Sequence, residues 1–233
     1  MTRDVEPTIL SEQSERFIRL MAPARDDTLE AIEERNLKRG FPMVGPEVGG
    51  VLYAVARMVD AERVFEFGSG LGYSAYWFAA ALPPEGLVVL TEEDESELDV
   101  AREFFERGGM DDRAAFELGD AHDALERYEG PFDVALLDHG KKCYAKAFEA
   151  ITPKLAPGGV VIADNTMAGG TIDLDHLVDV LNGGDPDVNA MTAGIAEFLT
   201  AVRSDSDFDT VALPIGSGIT ISVKRRSTHD RPS

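Results

Sequence analysis

The sequence is short of cysteine and lysine. Among its 233 residues Cys143 is the one cysteine, which excludes an internal disulfide and an all-cysteine zinc site. Lysine occurs six times against sixteen arginines, and 43 acidic residues give a formal net charge of −21. This charge opposes non-specific binding to nucleic acid or to an anionic membrane. It suits a cytoplasm of very high salt, where charges are screened within a few ångströms, so a halophilic source is a hypothesis.

Long apolar runs are also missing. No run approaches the roughly 18 apolar residues of a membrane span. The first residues, from Met1 to Pro7, contain no apolar stretch of the kind that a secretion signal needs. We therefore expect a cytoplasmic protein without a membrane partner. With 44% hydrophobic residues, the chain is long enough for one sizeable α/β domain.

A glycine-rich turn joins a predicted strand to a predicted helix. Residues 64–67 form a short apolar run, three alternating glycines follow from Gly68 to Gly72, and a helix-compatible run spans 73–81. This order opens a nucleotide-binding βαβ unit, because the glycines permit a tight turn and the helix N-terminus offers free N–H donors. Tyr73 stands where the dinucleotide fingerprint requires its third glycine, which disfavours a pyrophosphate cradle.

Two acids near this turn are candidate ligand contacts. Glu66 lies inside the apolar strand, where an unpaired carboxylate is costly, and it could receive the amino group of a cationic ligand. Glu92 lies 20 residues beyond Gly72, at the tip of the second predicted strand, 87–90. An acid at that separation can accept both hydroxyls of a ribose. The alternative for Glu92 is an acidic turn in an acidic protein.

Oxygen-bearing side chains follow two other predicted strands. Asp138 comes directly after 132–137, and Asp164 and Asn165 come after 160–163. Because the carboxyl ends of parallel strands converge on one crevice, we expect these side chains to meet. Hard oxygen ligands without cysteine indicate Mg²⁺, Ca²⁺ or Mn²⁺. Each residue alone is more readily explained as a helix cap, so the metal hypothesis depends on the set.

The remaining segments predict the other elements. Residues 8–39 predict two helices that break around Pro23, with Asp26 or Asp27 as a cap and Gly40 as the stop. Asp120 is a candidate cap for a helix that starts near His122. Other helices are expected at 47–59, 95–107 and 190–202, a third strand at 114–118, turns at 41–46 and 157–159, and a hairpin pairing 209–213 with 218–223.

Several ordered motifs resemble one enzyme family. The pattern E-x-G-x-G-x-G-x-S, which starts at Glu66, resembles the first motif of the class I S-adenosylmethionine-dependent methyltransferases. Asp138-His139-x-Lys141 with Tyr144 nearby, followed by a Gly-Gly-Val strand closing on Asp-Asn, resembles the catechol and caffeoyl-CoA O-methyltransferase family. The match extends from about residue 44 to residue 224. It implies a Rossmann-like α/β fold whose seven-stranded sheet is mostly parallel, with one antiparallel strand near the edge and helices on both faces.

The resemblance also implies roles for individual residues. Asp138, Asp164 and Asn165 become ligands of a divalent metal, Mg²⁺ or else Mn²⁺ or Ca²⁺. Lys141 becomes the general base, with Asp138 beside it as a catalytic residue. The residues expected to contact S-adenosylmethionine are Val44, Glu66, Gly68, Ser69, Gly70, Gly72, Ser74, Glu92, Asp120, Ala121, Asp138 and His139. Met43 joins Val44 just before a helix, and packing alone explains these two equally well.

The chain departs from the catechol enzymes at two places. Gly140 stands where they carry an aromatic residue between His and Lys, and residues 166–170 lack their proline after Asp-Asn. We expect 166–189, rich in Gly, Asp and Asn, to form a mobile loop over the substrate. The expected organisation is one domain over 1–224, with 1–43 as a helical cap and 225–233 as a disordered tail.

The expected function, which the resemblance implies, is metal-dependent O-methylation of a small acceptor with adjacent oxygens. The expected enzyme is a homodimer. Three alternatives stay open. One is methylation of a hydroxylated tRNA base, which the scarcity of lysine disfavours only slightly. Another is a nicotinamide-dependent oxidoreductase, which Tyr73 disfavours. The last is a nucleotide-binding protein without catalysis, against which the metal-ligand set and Lys141 argue together.

Overall fold

The computed structural model describes residues 10–40, 43–167, 172–185 and 187–226. Its strands are β1 (Arg63–Phe67), β2 (Leu87–Glu92), β3 (Ala114–Leu118), β4 (Phe132–Leu137), β5 (Leu155–Ala163), β6 (Phe208–Leu213) and β7 (Ile219–Lys224). Its helices are α1 (Glu12–Met21), α2 (Asp27–Arg39), α3 (Pro46–Met58), α4 (Tyr73–Ala81), α5 (Glu95–Gly108), α6 (Ala121–Glu126), α7 (Tyr144–Ile151), α8 (Leu174–Leu181) and α9 (Ala190–Ser204). Short 3₁₀ turns lie at Asp111–Arg113, Lys141–Cys143 and Thr152–Lys154.

The seven strands form one sheet in the order β3-β2-β1-β4-β5-β7-β6. The pairs from β3 to β5 are parallel, and β7 runs antiparallel to both β5 and β6. The antiparallel strand therefore lies second from one edge. The predicted sheet, mostly parallel with one antiparallel strand near the edge, is confirmed.

The central strands bury side chains on both faces of the sheet. In β1, Val64 belongs to the core beneath α2–α5, and Phe65 belongs to the core beneath α6, α7 and α9. In β4, Leu136 and Leu137 divide between the two cores in the same way. A strand covered on both faces reads as a continuous apolar run, which is why these strands were recognisable in the sequence. The prediction of helices on both faces is confirmed.

The N-terminal helices break where the sequence predicts. Pro23 lies between α1 and α2. Asp26 caps α2 by accepting hydrogen bonds from the backbone N–H groups of Thr28 and Leu29, at 3.0 and 2.8 Å. Gly40 ends the helix with a left-handed φ of 64°. The predicted turn at Phe41 and Pro42, and the start of the helical cap at 1–9, lie outside the described residues.

Strand β5 differs from its prediction. It begins at Leu155 instead of residue 160, so the residues 157–159 lie within the strand and do not form a turn before it. Phe132 pairs with Leu155 and Val134 with Val160, which leaves the intervening residues of β5 as a bulge. Gly158 permits this bulge, because its φ of 84° disfavours a side chain.

The segment expected as a substrate loop contains helix α8. The apolar residues of this helix recur at helical spacing, at Leu174, Leu177, Val178 and Leu181. The loop was predicted instead because the segment is rich in Gly, Asp and Asn. Residues 168–171 and 186 of that segment lie outside the described residues, as do residues 227–233 of the expected tail. Within the described residues, no helix combines the length and the apolar character that crossing a membrane requires.

Candidate functional site

A cavity of about 740 Å³ opens at the carboxyl ends of β1 to β5. This edge of a parallel sheet is where α/β proteins bind ligands, because strand ends and helix N-termini converge there. Most of the predicted site residues line the cavity. They are Met43, Val44, Gly68, Ser69, Gly70, Ser74, Glu92, Asp120, Ala121, Asp138, His139, Lys141, Asp164 and Asn165.

The glycine loop is hydrogen-bonded to Thr91 at the end of β2. The hydroxyl of Thr91 accepts a hydrogen bond from the N–H of Gly68 at 3.1 Å, and the carbonyl of Thr91 accepts one from the N–H of Ser69 at 2.9 Å. The N–H of Thr91 donates in turn to the Ser69 hydroxyl. A Cβ on Gly68 would lie 2.9 Å from the carbonyl oxygen of Asp138, so only glycine lets the loop approach β4 this closely.

Glu66 is fully buried beneath this loop. Neither carboxylate oxygen has a hydrogen-bond partner, and the residue does not line the cavity. Burial raises the pKa of Glu66 to about 7, although the nearby hydroxyls of Ser69 and Ser74 oppose the rise. Gly72 does not line the cavity either, because it packs against Ala101 of α5.

Glu92 lies at the tip of β2, as predicted, and is already bonded to the backbone. Oε2 accepts a hydrogen bond from the N–H of Gly70 at 2.9 Å, and Oε1 accepts from the N–H groups of Glu93 and Asp94 at 2.8 and 3.0 Å. A carboxylate offers about four acceptor positions, so roughly one is left for a ligand hydroxyl. Binding both hydroxyls of a ribose would require one of these backbone bonds to give way.

Asp120 acts as a helix cap. It accepts hydrogen bonds from the N–H groups of His122 and Asp123, at 2.8 and 3.2 Å, and thereby starts α6. The capping alternative is therefore present in the structure, and Asp120 still lines the cavity beside Ala121.

His139 packs among aromatic rings. Its ring stacks on Tyr144, with centroids 5.4 Å apart and an angle of 15° between the planes, and lies 5.5 Å from the ring of Phe67. Burial, helped by the positive charges of His122 and Lys141, lowers the pKa of His139 to about 4. The imidazole is therefore neutral at pH 7 and presents a flat ring to the cavity.

The two predicted carboxylate ligands follow adjacent parallel strands. The N–H of Asp138 donates to the carbonyl of Phe67 at 3.0 Å, and the N–H of Asp164 donates to that of Leu137 at 3.1 Å. These bonds continue the sheet ladder past the strand ends and hold both residues at the same edge. The Tyr144 hydroxyl donates a hydrogen bond to the carbonyl of Asp164 at 3.1 Å. Burial, with the negative charges of Asp138 and Asp164, raises the pKa of Tyr144.

Asn165 and Lys141 meet at this edge. The Lys141 ammonium donates a hydrogen bond to Asn165 Oδ1 at 2.7 Å. Asn165 has a left-handed φ of 53°, an uncommon backbone conformation that recurs at functional sites. The amine nitrogen of Lys141 thus lies against the amide oxygen of Asn165, and both residues line the cavity.

These donors suit a hard divalent cation only as a set of two carboxylates and one amide. Within the part of the chain that the structure describes, no three His, Cys, Asp or Glu side chains group as a metal centre. The predicted set therefore includes the amide of Asn165 as its third oxygen donor. Carboxylate and amide oxygens match the donors that Mg²⁺ and Ca²⁺ take in proteins.

Several lining residues were not identified from the sequence, among them Asn36, Thr91, His122, Cys143 and Met191. Asn36 carried a usable signal, because it interrupts the apolar face of α2 at a helical spacing from Leu29 and Ile32. Cys143 and Met191 reach the cavity only through the placement of α9 against Lys141–Cys143, which local sequence patterns do not encode.

Comparison with known proteins places these features in context. Residues 23–225 match the sequence model of the family described as O-methyltransferase. A catechol O-methyltransferase of Niastella koreensis is 29% identical over 214 residues, covering 88% of this chain and 96% of that protein. Tricin synthase 2 of Oryza sativa subsp. japonica is 31% identical over 195 residues, covering 78% of this chain and 63% of that protein.

Solved structures agree with the sequence comparison. The O-methyltransferase from Bacillus cereus in complex with SAH has a TM-score of 0.78 at 26% identity, covering 91% of this chain and 97% of that one. The O-methyltransferase TomG from Streptomyces achromogenes, in complex with SAM, has a TM-score of 0.78 at 24% identity. That match covers 93% of this chain and 100% of TomG, and at this identity it supports the fold alone.

Proposed function

The chain belongs to the O-methyltransferase family, and we propose that it transfers the methyl group of S-adenosylmethionine to a hydroxyl of a small acceptor with two adjacent oxygens, with the help of a divalent metal. The observation that carries this proposal is the contact of Lys141 with Asn165, at 2.7 Å, in the cavity that the glycine loop also lines. A proton acceptor, oxygen donors and a nucleoside-type loop thus share one crevice.

The cofactor half of the proposal rests on the glycine loop and the tips of β2 and β3. Glu92 offers an acceptor to a ribose, and Asp120 with the backbone of Ala121 lies where an adenine would follow. Val44 and Ser74 are further proposed contacts, both at the cavity wall. The relative from Bacillus cereus, solved in complex with SAH, supports a nucleoside of this type.

The acceptor half rests on Asp138, Asp164 and Asn165, which would hold the metal. When bound, S-adenosylmethionine supplies an already activated methyl group, and a divalent cation supplies Lewis acidity that makes a nearby hydroxyl easier to deprotonate. The ring of His139, which stacks on Tyr144, lines the cavity beside these residues and is a proposed contact of the cofactor.

Lys141 is the proposed proton acceptor. Its amine lies at the oxygen-donor set, and in its neutral form it can take the proton of an acceptor hydroxyl. Proton removal by a positioned side chain typically contributes roughly 10²–10⁴-fold in rate. Asp138 lines the same cavity and is the second proposed catalytic residue.

The proposed partners are small molecules. The net charge of −21 argues against tRNA, and the relatives named for catechol and caffeoyl-CoA methylation support an acceptor with adjacent oxygens. A homodimer and a cytoplasmic location remain predictions, and light scattering of the purified protein tests the first. A halophilic source also remains a hypothesis, which a stability maximum below roughly 0.2 M salt would contradict.

A methylation screen tests this function. The protein is incubated with S-adenosylmethionine carrying a labelled methyl group and with either small catechols or bulk tRNA, each with and without Mg²⁺. We expect label in a catechol ether only when Mg²⁺ is present. Label in tRNA alone would contradict the proposed acceptor, and equal labelling of catechol without metal would contradict the proposed metal dependence.

A further inference from the structure

Asn36 is a polar residue in an apolar position. It lies on the face of α2 that also carries Leu29 and Ile32, which are seven and four residues earlier and buried. Asn36 itself is only 1% exposed. Packing alone favours an apolar side chain here, since this face of the helix meets the core.

The amide of Asn36 is only half satisfied. Nδ2 donates a hydrogen bond to the carbonyl of Ile32 at 3.0 Å, and the buried Oδ1 has no hydrogen-bond partner. Exchanging the nitrogen and the oxygen would set Oδ1 against the Ile32 carbonyl, so the hydrogen bond fixes the orientation. An unpaired buried acceptor destabilises the folded state unless something donates to it. Asn36 lines the cavity, so a bound ligand can supply that donor.

Helix α2 is held firmly at this position. The hydroxyl of Tyr73, the first residue of α4, donates to Glu33 Oε1 at 2.5 Å, and Arg25 pairs with Glu33 at the same distance. The hydroxyl of Tyr76 donates to Asp26 at 3.0 Å. The Tyr73 hydroxyl is therefore committed to Glu33, and Asn36 sits one turn further along a helix that is anchored to the start of α4.

The order of the strands indicates which part of a ligand passes Asn36. In the proposed function, the adenine lies at the tip of β3, near Asp120, and the ribose lies at the tip of β2, near Glu92. Because β1 is the next strand in the sheet, the amino-acid end of the methyl donor continues past β1 towards the start of α4. Helix α2 is anchored there through Tyr73.

We propose that Asn36 Oδ1 accepts a hydrogen bond from the ammonium group at the amino-acid end of the methyl donor. The inference rests on the proposed function and adds a recognition residue on the N-terminal helices to those on the sheet edge. An ammonium carries three N–H donors, so a single acceptor does not satisfy it. Asn36 supplies a further acceptor from helix α2, which is outside the sheet.

Two ligands separate this role from a structural one. S-adenosylhomocysteine carries the amino-acid end, whereas 5′-methylthioadenosine has the same nucleoside without it. Titration calorimetry with the full chain compares the wild type with Asn36→Leu. We expect the variant to bind S-adenosylhomocysteine roughly 5- to 150-fold more weakly, since the ammonium loses a partner in a buried place, and to bind 5′-methylthioadenosine like the wild type.

The stability of the variants gives a second readout. Asn36→Leu should raise the Tm of the ligand-free protein, because it removes an unpaired buried acceptor. Thr28→Val is the matched control: Thr28 is buried on the same helix but does not line the cavity, so it should leave both affinities unchanged. Asn36→Ala repeats the binding test if leucine prevents folding.

The two affinities decide whether Asn36 binds the ammonium group. Unchanged affinity for S-adenosylhomocysteine in the Asn36 variants would overturn the inference, and so would equal losses for both ligands. A wild type that binds neither ligand would instead overturn the proposed function from which the inference starts. A selective loss for S-adenosylhomocysteine supports it.

Discussion

Replacing Glu66 by glutamine should change how stability depends on pH. Burial raises the pKa of Glu66 from its ordinary value of 4.5 to about 7. Between these values the folded state keeps a proton that the unfolded state releases. The stability that this group contributes is therefore fully present below pH 4.5 and is lost as the pH rises through 7.

The size of the effect follows from the shift. A difference of about 2.5 pKa units corresponds to roughly 3 kcal/mol at 1.36 kcal/mol per unit, which the wild type loses between pH 4.5 and about 8. Glutamine has nearly the same shape and carries no charge at any pH. Glu66→Gln should therefore match the wild type below pH 4.5 and exceed its free energy of unfolding by up to roughly 3 kcal/mol at pH 8.

Urea denaturation at a series of pH values measures this difference. Glu117→Gln serves as a control of opposite sign. Burial by itself would raise the pKa of Glu117, but hydrogen bonds from Tyr128 and Arg127 outweigh it and lower that pKa. The stability that Glu117 contributes is therefore present at neutral pH and is lost on acidification. If the wild type and Glu66→Gln differed by the same amount at pH 5 and pH 8, Glu66 would not be a buried group that titrates near neutrality.

Three further substitutions address the site. Lys141→Ala should lower turnover roughly 10²–10⁴-fold, less so at high pH, while cofactor affinity measured by calorimetry stays constant. Glu92→Ala should weaken S-adenosylmethionine binding by about 1.5–3 kcal/mol, and an unchanged calorimetric affinity would remove it from the cofactor site. A Cβ on Gly194 would lie 2.6 Å from the carbonyl oxygen of Lys141, so Gly194→Ala should displace Lys141 and lower kcat. The exposed Ala193 is the control position, and equal kcat values for Gly194→Ala and Ala193→Ser would contradict this expectation.

The elements that the sequence predicts well are those with strong local signals. Helix α4 and strands β3 and β4 have the predicted bounds, because their apolar runs end before proline, glycine and aspartate respectively. Asp26 was recognisable as a cap because capping is a local property of the first helical turn. The gathering of Asp138, Asp164 and Asn165 at one edge was predictable because parallel topology brings successive strand ends together.

Features that depend on tertiary packing were not predictable. The bulge at Gly158 depends on how β5 pairs with β4, and the flanking glycine and proline resemble a turn. Glu66 was expected to contact the cofactor, but it lies beneath the cavity lining, and its depth is set by the loop above it. Likewise, the sequence places Glu92 at a strand tip, but does not reveal that three backbone N–H groups occupy most of its acceptor positions.

The most direct test of the central claim is the transfer of a labelled methyl group to catechol by wild type and Asp164→Ala, each with excess Mg²⁺ and with a chelator, followed by mass spectrometry of the product. We predict an O-methylated catechol only from the wild type with Mg²⁺, while S-adenosylhomocysteine binds both proteins in all conditions. Full product formation in the chelator, with metal content verified by elemental analysis, would contradict the account.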